Sequence, residues 1–259
     1  MNSAALDAAA LHLLAARRRG RSGPRLPESS RPADVDDALA IQRRVAALLG
    51  AAIGGWKCAL PTAERTLVAP IYAETIHSGP RCTVPGHRPF ARIEPEIAFV
   101  LTKDLPPRST PYAEDEVRAA VGETRLVLEL IGCRYADPDD LPFVEMLADG
   151  ANNDGLHVGP VVQGGLGREL GSFRLAIRGP AGPVLARDGA HPDGHPLRPL
   201  VWLANWFGRN PAGWDQGLAA GQIVTTGSYA GALDVALATP LAVAFGDLGE
   251  LQVTLFPAA

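Results

Sequence analysis

Three glutamates are the residues of this sequence whose type and spacing point most directly to chemistry. Glu94 and Glu96 lie two positions apart in ARIEPEIAFVL (91–101), and alternate residues of a strand share one face. Glu129 lies within the apolar run of TRLVLELIGCR (124–134). A buried carboxylate must be protonated, paired or bound to a metal, because burying it alone is costly. Together the three carboxylates suit a hard divalent cation, Mg²⁺ or Mn²⁺.

The same glutamates have a second interpretation. On a solvent-facing strand, Glu94 and Glu96 would pair with arginines such as Arg92 or Arg125. An E-x-E pattern taken alone favours that interpretation, and Glu129 in its apolar run leaves both open. Zinc suits the set less well, since no cysteine or histidine lies at ligand spacing nearby.

A lysine with apolar and glycine neighbours is the next candidate. Lys57 follows two glycines and a tryptophan in GGWKCAL. Desolvation would lower its pKa, which suits a residue that transfers a proton or binds an anionic substrate. The alternative is a lysine at a strand end whose ammonium group reaches solvent.

Two polar loops complete the candidate chemistry. ADGANNDGLHVG (148–159) places Asn153 just before an apolar strand, and IVTTGSYAG (223–231) ends a strand at Ser228. Amides and hydroxyls between glycines are suitable donors to a substrate carboxylate. The same residues are equally ordinary in turns.

Composition limits the classes of function. The chain has 259 residues, 47% hydrophobic and 20% charged, and a formal net charge of −4. This balance gives no electrostatic signature for nucleic acid, and no apolar run is long enough for a membrane span. The three cysteines form no C-x-x-C pair and the N-terminus lacks the order of a secretory signal, so we expect a cytoplasmic protein with reduced thiols.

The elements that must position these residues follow from periodicity and from glycine and proline. Helices are predicted at 3–18, about 35–49, 113–121, 139–148 and 199–208. Strands are predicted within 50–60 and at 92–101, 125–133, 155–163, 172–178, 222–228, 233–238, 241–245 and 251–256, with 179–200 as loop or hairpin. Pro95 predicts that its strand is an edge strand or is bulged. We expect an N-terminal helical extension (1–50) and a β-rich catalytic domain (51–259).

Taken in order, these segments resemble a known family. GGWKCAL, EPEIAFVLTKDLP, LVLELIGCRY, LADGANNDGLHVG and WLANWFGRNPAGWDQGLAAGQIVTTGS are similar to the successive motifs of the 2-keto-4-pentenoate hydratase family. That family belongs to the fumarylacetoacetate hydrolase superfamily, with the 4-oxalocrotonate decarboxylases. The likeness extends from about Arg31 to Phe256.

The resemblance implies a fold, a cofactor and site residues. The fold is α+β and β-rich, a mixed β-sandwich or roll of the fumarylacetoacetate hydrolase C-terminal-domain type with helices on its rim. The implied metal is Mg²⁺ or Mn²⁺, held by Glu94, Glu96 and Glu129. Lys57 matches a catalytic or substrate-contacting lysine. Ser228 matches a serine at the substrate end of the site, and with Asn153 it is predicted to orient the substrate.

The chain departs from the family pattern at several positions. Where relatives commonly read DSR after the third metal glutamate, this chain has Gly132, Cys133 and Arg134, which removes a carboxylate. Where they often read ADNASSG, it has ADGANNDG, with Gly150 and paired asparagines.

The function implied is a hydro-lyase of aromatic catabolism. A hydratase of this kind adds water to a 2-hydroxy-2,4-dienoate to give a 4-hydroxy-2-oxo acid. The same chelation of substrate by metal would serve a decarboxylase or a C–C hydrolase, whose base could come from Glu74 and His77. A catalytically silent structural or small-acid-binding subunit is the alternative of another class. The expected partners are further copies of this chain, in a homo-oligomer, and a decarboxylase.

Overall fold

The computed structural model describes residues 1–85, 89–209 and 211–258. Within them the α-helices are α1 (Ser3–Arg19), α2 (Val35–Leu49), α3 (Glu114–Arg118), α4 (Phe143–Ala148) and α5 (Leu197–Phe207). The strands are β1 (Ile53–Cys58), β2 (Val68–Tyr72), β3 (Ile76–Ser78), β4 (Arg81–Val84), β5 (Phe90–Leu101), β6 (Val121–Ile131), β7 (Asn153–Val161), β8 (Ser172–Gly179), β9 (Gly182–Ala190), β10 (Ile223–Ser228), β11 (Leu233–Ala236), β12 (Pro240–Phe245) and β13 (Glu250–Pro257). None of the described helices is long and apolar enough to cross a membrane.

Eight of the strands form a curled mixed sheet. Their order is β2-β1-β10-β5-β6-β7-β3, and β11 pairs with β5 next to β10. The β1–β10 and β3–β7 pairs are parallel, and the others are antiparallel. Because β2 also lies against β7, the sheet curls into a roll with an inner face and an outer face.

A second sheet covers part of the outer face. Its order is β4-β13-β12-β8-β9, and β13 lies against β6 and β7 of the roll. The two sheets approach closely at Gly159, where a Cβ atom would lie 2.5 Å from a methyl carbon of Leu251. Both sheets and the rim helices confirm the predicted α+β, β-rich class.

The two faces of the roll differ in size and content. The outer face carries Ile93, Ile97 and Phe99 of β5 in the main hydrophobic core. On the same face the Trp56 ring of β1 meets Phe207 and Trp214 edge-on, at centroid distances of 4.9 and 5.1 Å. The inner face has a separate small apolar cluster, comprising Ile71, Ala98, Val127, Leu156 and Ile223.

The two N-terminal helices form as their caps predict. The Asn2 side chain accepts from the first turn of α1, and Asp34 does the same for α2. Both helices end at a left-handed glycine, which terminates a helix without steric cost. Gln42 of α2 donates to the carbonyls of Val68 in β2 and Leu147 in α4, so these helices pack against the roll. The division between residues 50 and 51 stays a prediction.

Two expectations about strands need correction. Strands β2, β3 and β4 were not predicted, since they are short and β2 contains Pro70. Pro95 does not lie on an edge strand, because β5 is central in the sheet. A bulge does occur beside Pro95, but it lies in the partner strand β10, whose register against β5 shifts between Thr225 and Ser228. Pro95 lies where β5 changes partner from β10 to β11, so its missing N–H interrupts no ladder. Within 179–200, predicted as loop or hairpin, residues Gly182–Ala190 form β9, the second strand of a hairpin with β8.

Candidate active site

Strand pairing brings the three glutamates together on the inner face of the roll. Glu94 of β5 lies directly opposite Glu129 of β6, and Glu96 follows two residues along β5. One carboxylate oxygen from each residue lies within 4.8 Å of the others. Glu96 and Glu129 are 2% and 0% exposed, and Glu94 is half-buried. The interpretation of Glu94 and Glu96 as solvent-facing partners of arginines does not hold, and Arg92 instead pairs with Asp234.

Lys57 reaches the same face from two strands away. Its partner in β10 is Thr225, which in turn pairs with Ala98 of β5, so all three share the inner face. The Lys57 Nζ lies 2.6 Å from Glu129 Oε1 and donates to the Ala151 carbonyl oxygen at 3.2 Å. Lys57 is 8% exposed. The ammonium group is therefore part of the carboxylate cluster.

A tightly wound loop before β7 closes one side of the site. Gly150, Ala151 and Asn152 are consecutive left-handed residues, with φ of 75°, 52° and 60°. This winding turns the Ala151 carbonyl to Lys57. It also places the Asn153 Nδ2 at 2.7 Å from Glu129 Oε1, to which it donates. Gly132 N–H donates to the Asn152 carbonyl at 2.8 Å, which ties the loop to the end of β6.

The bulge in β10 supplies a backbone donor to Glu96. Gly227 N–H donates to Glu96 Oε2 at 3.1 Å. Gly227 has φ of 135°, and a Cβ atom there would lie 3.0 Å from the Pro192 ring, so both backbone conformation and space favour glycine. Ser228 lies opposite Glu96, but its hydroxyl donates to the main-chain oxygens of Pro95 and Gly231.

A buried ion cluster supports the loop from behind. The Arg134 guanidinium donates to Asp149 Oδ1 at 2.6 Å, to Asp154 Oδ1 at 2.7 Å and to the Asn153 carbonyl at 3.0 Å. Burial lowers the pKa of Arg134, but Asp149 and Asp154 outweigh it, so its pKa is raised. Arg17 of α1 also donates to the Asn153 carbonyl, at 3.4 Å.

The electrostatics of the cluster follow from burial and from like charges. Burial raises the pKa of Glu94 to about 6 and that of Glu96 well above its ordinary value, and neighbouring carboxylates add to both effects. Lys57 has a raised pKa because the three carboxylates outweigh its desolvation. The prediction that desolvation would lower the Lys57 pKa is therefore wrong.

The donor set fits a divalent cation. With three ionised carboxylates and one ammonium, the cluster has a formal charge of about −2, which a divalent ion would neutralise. Among the described residues, no N–H or O–H donates to the fully buried Glu129 Oε2 or satisfies the buried Thr225 Oγ1. A buried carboxylate oxygen without a donor is the position that a metal would fill. No other group of metal-ligand side chains occurs within the described ranges.

The structure brings together most, but not all, of the residues selected from the sequence. Glu94, Glu96, Glu129, Lys57 and Asn153 form one contact network. His77 lies beside His157 on the outer face, so it does not face the carboxylates. The contributions that sequence reasoning missed are the Ala151 carbonyl, the Gly227 amide, Thr225 and the support from Arg134. Main-chain groups have no sequence signal of their own, and the glycines flanking both loops were the available indication.

Sequence similarity to known proteins identifies the family of this chain. No family model matches it. The 2-keto-4-pentenoate hydratase of Paraburkholderia xenovorans (strain LB400) is 30% identical over 264 residues, covering 95% of this chain and 90% of the relative. The chain belongs to the 2-keto-4-pentenoate hydratase family. This membership confirms the resemblance inferred from the motifs and the predicted enzyme class, hydro-lyase. The 2-oxo-hept-4-ene-1,7-dioate hydratase of Escherichia coli is 28% identical, covering 84% of this chain and 85% of the relative.

Solved structures confirm the fold at lower sequence identity. The 4-oxalocrotonate decarboxylase from Pseudomonas putida G7, solved with magnesium and adipate, superposes with a TM-score of 0.78 at 19% identity, covering 99% of both chains. The fumarylpyruvate hydrolase from Pseudomonas aeruginosa, solved with Mn²⁺ and pyruvate, gives a TM-score of 0.54 at 14% identity, covering 78% of this chain and 89% of the other. The fold is thus shared with proteins that carry the names of other activities.

Proposed function

We propose that this chain is a divalent-metal-dependent hydratase that adds water to a 2-hydroxy-2,4-dienoate of the 2-keto-4-pentenoate type. The product would be a 4-hydroxy-2-oxo acid. The observation that carries the proposal is the inner-face cluster of Glu94, Glu96 and Glu129 with Lys57 bonded to it. The named hydratases among its relatives favour hydration over the other reactions of the superfamily.

The three glutamates are proposed to hold Mg²⁺ or Mn²⁺. Bound there, the ion would supply Lewis-acid stabilisation of negative charge on a substrate oxygen. The inner-face position of the glutamates supports the role, since it removes their carboxylates from bulk water and strengthens their field. Gly227 N–H and Asn153 Nδ2 each hold one carboxylate oxygen, so the side chains are oriented in advance of binding.

Lys57 is proposed to hold the substrate or to deliver a proton to it. An ammonium has three donors, and two of them contact Glu129 and the Ala151 carbonyl. The third remains for a substrate carboxylate or for the carbon chain that is protonated when the dienol becomes a ketone. Electrostatic interaction with the three carboxylates favours its charged form, which makes Lys57 a proton donor in this proposal.

Asn153 and Ser228 are proposed to orient the substrate. The side-chain amide of Asn153 donates a hydrogen bond to Glu129, which puts this side chain at the boundary of the proposed metal site. Ser228 is one residue beyond the Gly227 amide that contacts Glu96. To bind the substrate, its hydroxyl would have to give up a hydrogen bond to a main-chain oxygen and donate to the substrate instead.

The test is an assay of purified protein with 2-hydroxypenta-2,4-dienoate and added Mg²⁺ or Mn²⁺. We expect loss of the dienol absorbance with appearance of a 4-hydroxy-2-oxo acid, and no reaction in a chelator. Lys57→Met is expected to lower turnover about 100-fold while Mn²⁺ still binds. An unchanged dienoate in the presence of bound Mn²⁺ would contradict the hydratase proposal.

The same assay separates the alternatives. Release of CO₂ from a 2-oxo acid that carries a second carboxylate would identify a decarboxylase, and cleavage of a 2,4-diketo acid would identify a C–C hydrolase. The outward position of His77 argues against the second of these. Binding of a 2-oxo acid without turnover would identify a silent binding subunit.

The proposals for oligomeric assembly and cellular location rest on the family resemblance. We propose a cytoplasmic homo-oligomer that associates with a decarboxylase, because the family resemblance implies such partners. Light scattering should give a mass of at least twice the 27.2 kDa of one chain, and a mass of 27.2 kDa would contradict the homo-oligomer.

A further inference from the structure

Gly132 and Asp154 occupy a single side-chain space. Gly132 is buried at the end of β6, and Asp154 is the second residue of β7. A Cβ atom added at Gly132 would overlap the Asp154 Oδ2, would lie 2.5 Å from its Cγ and 3.0 Å from its Cβ. Gly132 does not have a positive φ, so the backbone conformation does not require glycine. The Asp154 carboxylate itself excludes a side chain at position 132.

The carboxylate in this shared space is connected to the proposed metal site by three hydrogen bonds. Asp154 Oδ1 accepts from Arg134 Nη1 at 2.7 Å. The same Nη1 donates to the Asn153 carbonyl at 3.0 Å. The Asn153 side chain then donates to Glu129 Oε1 at 2.7 Å. Asp154 makes its hydrogen bond and ion pair with Arg134 and none with the three glutamates, so its effect on them passes through Arg134 and Asn153.

The charges of the buried cluster require this carboxylate. Arg134 is 5% exposed, and Arg17 contacts the same Asn153 carbonyl. Asp149 and Asp154 are the two carboxylates that interact electrostatically with the guanidinium groups of both Arg17 and Arg134. With Asp154 removed, two cations would face one anion, and Arg134 would lose the partner that fixes its Nη1. The direction of its bond to the Asn153 carbonyl would then no longer be set.

We propose that Asp154 is a positioning residue for the carboxylate site, and that positions 132 and 154 form one space that accepts one carboxylate from either residue. The space and its occupant are properties of the protein without metal, whereas the effect on catalysis rests on the proposed function. Position 132 is where this chain lacks the carboxylate of the family's DSR motif, and by this inference Asp154 supplies it from the facing strand.

The test is a cycle of Asp154→Gly, Gly132→Asp and the double variant G132D/D154G. Glycine is chosen at 154 because even a Cβ there would lie 3.0 Å from a Cβ at 132. In Mn²⁺ titrations we expect Asp154→Gly to bind about 10- to 100-fold more weakly, the usual range for residues that orient metal ligands. The double variant should recover most of that loss. Turnover of the dienoate should follow the same order.

Urea unfolding of the metal-free variants gives a second readout that does not depend on metal or substrate. Gly132→Asp should lower the unfolding midpoint in the wild-type background, where it overfills the space. The same substitution should raise the midpoint in the Asp154→Gly background, where the space is empty. If the two positions were independent, Gly132→Asp would change the unfolding midpoint in the same direction in both backgrounds. That result would overturn the proposal of a shared space.

Controls distinguish positioning from general destabilisation. Asp188→Gly removes an exposed aspartate that is paired with Arg174 at 3.2 Å, and it should leave Mn²⁺ affinity unchanged. Should Asp154→Gly fail to fold, Asp154→Asn keeps the shape and removes the charge, and we expect Mn²⁺ binding to weaken by up to about tenfold. Unchanged Mn²⁺ affinity in a folded Asp154 variant overturns the positioning role. So does a double variant that binds no better than Asp154→Gly.

The outcome is separable from that of the proposed function. A wild-type protein that binds Mn²⁺ without converting the dienoate contradicts the hydratase proposal, while the order of Mn²⁺ affinities still decides the role of Asp154. A wild-type protein that binds no Mn²⁺ overturns the positioning role together with the metal site. In each case, the two positions share one space if the effect of Gly132→Asp on the unfolding midpoint changes sign between the two backgrounds.

Discussion

The inner and outer faces of the roll are built from the same strands, yet they hold opposite kinds of residue. On β5 the outer face carries Ile97 and Phe99 in the main core, whereas the inner face carries Glu94 and Glu96. On β1 the outward Trp56 packs on aromatic rings while Lys57 points inwards. The outer face thus stabilises the fold by apolar burial. The inner face places charges where burial is costly, which is expected of a functional site.

Burial also shifts pKa values in opposite directions on the two faces. On the inner face, burial raises the pKa of Glu94 to about 6. On the outer face, burial lowers the pKa of His157 to about 4, and His77 adds to the effect. Desolvation disfavours the charged form in both cases. A carboxyl group therefore keeps its proton to higher pH, and an imidazole loses its proton at lower pH.

The largest expected effect comes from the inner face. Glu129→Gln should abolish Mn²⁺ binding and lower turnover by about 10³-fold, because Glu129 is the carboxylate shared by Lys57, Asn153 and the proposed metal. Mn²⁺ at 100 times its Kd should raise the unfolding free energy of the wild type by about 2.7 kcal/mol. That gain should vanish in the variant.

A matched control lies on the same strand. The Glu123 side chain of β6 is 41% exposed and pairs with Arg125 at 2.7 Å. Glu123→Gln should retain both the Mn²⁺-dependent stabilisation and the turnover. Glu123 shares its strand face with Glu129 but lies opposite Val100, away from the carboxylate cluster. Equal losses in the two variants would mean that membership of that cluster does not decide the role of a glutamate.

The next effect concerns the outer face. Phe99→Ala should lower the unfolding free energy by about 3–5 kcal/mol, since Phe99 is fully buried in the main core. The Mn²⁺ Kd of the folded protein should change by less than about twofold, as measured by calorimetry below the unfolding temperature. Weakened Mn²⁺ binding comparable to that of Glu129→Gln would show that the two faces are not independent.

The smallest effect is on pH dependence, measured by urea unfolding of metal-free protein. Glu94, with a raised pKa, contributes stability that is complete below pH about 4.5 and is lost as pH rises through about 6. His157, with a lowered pKa, contributes stability that is present above pH about 6.5 and is lost as pH falls through about 4. At about 1.4 kcal/mol per pKa unit, the contributions are of the order of 2 kcal/mol for Glu94 and 3 kcal/mol for His157.

Variants assign the two slopes to their residues. Glu94→Gln should remove the loss of stability towards neutral pH, and His157→Gln should remove the loss towards acid. The assignment would be contradicted if the slope of unfolding free energy against pH kept its wild-type value in both variants. It would also be contradicted if Glu94→Gln removed the acid slope and His157→Gln the slope towards neutral pH.

Much of the fold was accessible from the sequence because its signals are local. The helix predicted at about 35–49 is α2, where a capping aspartate and a terminal glycine set its limits. The alternation along 91–101 gave the two faces of β5. Strand β2 was missed because VAPIY is short and contains a proline. That proline is tolerated because β2 ends the strand order of its sheet.

The candidate site was accessible only in part. The carboxylates and Lys57 were identified because charge in an apolar strand is conspicuous. The shared space of Gly132 and Asp154 was not, since it depends on a register shift between Leu130 and Ile131 of β6 against β7. Contacts between residues on different strands follow from pairing, which no local pattern specifies.

The sequence by itself determined which residues could serve as ligands and that Glu94 and Glu96 share a face, because side chains along a strand alternate with a period of two. Only the tertiary structure decided that Glu129 lies opposite Glu94 and that Lys57 reaches Glu129 from two strands away. The physical reason is register. A shift of one residue between β5 and β6 would turn Glu129 to the outer face, and the same sequence would then have no metal site.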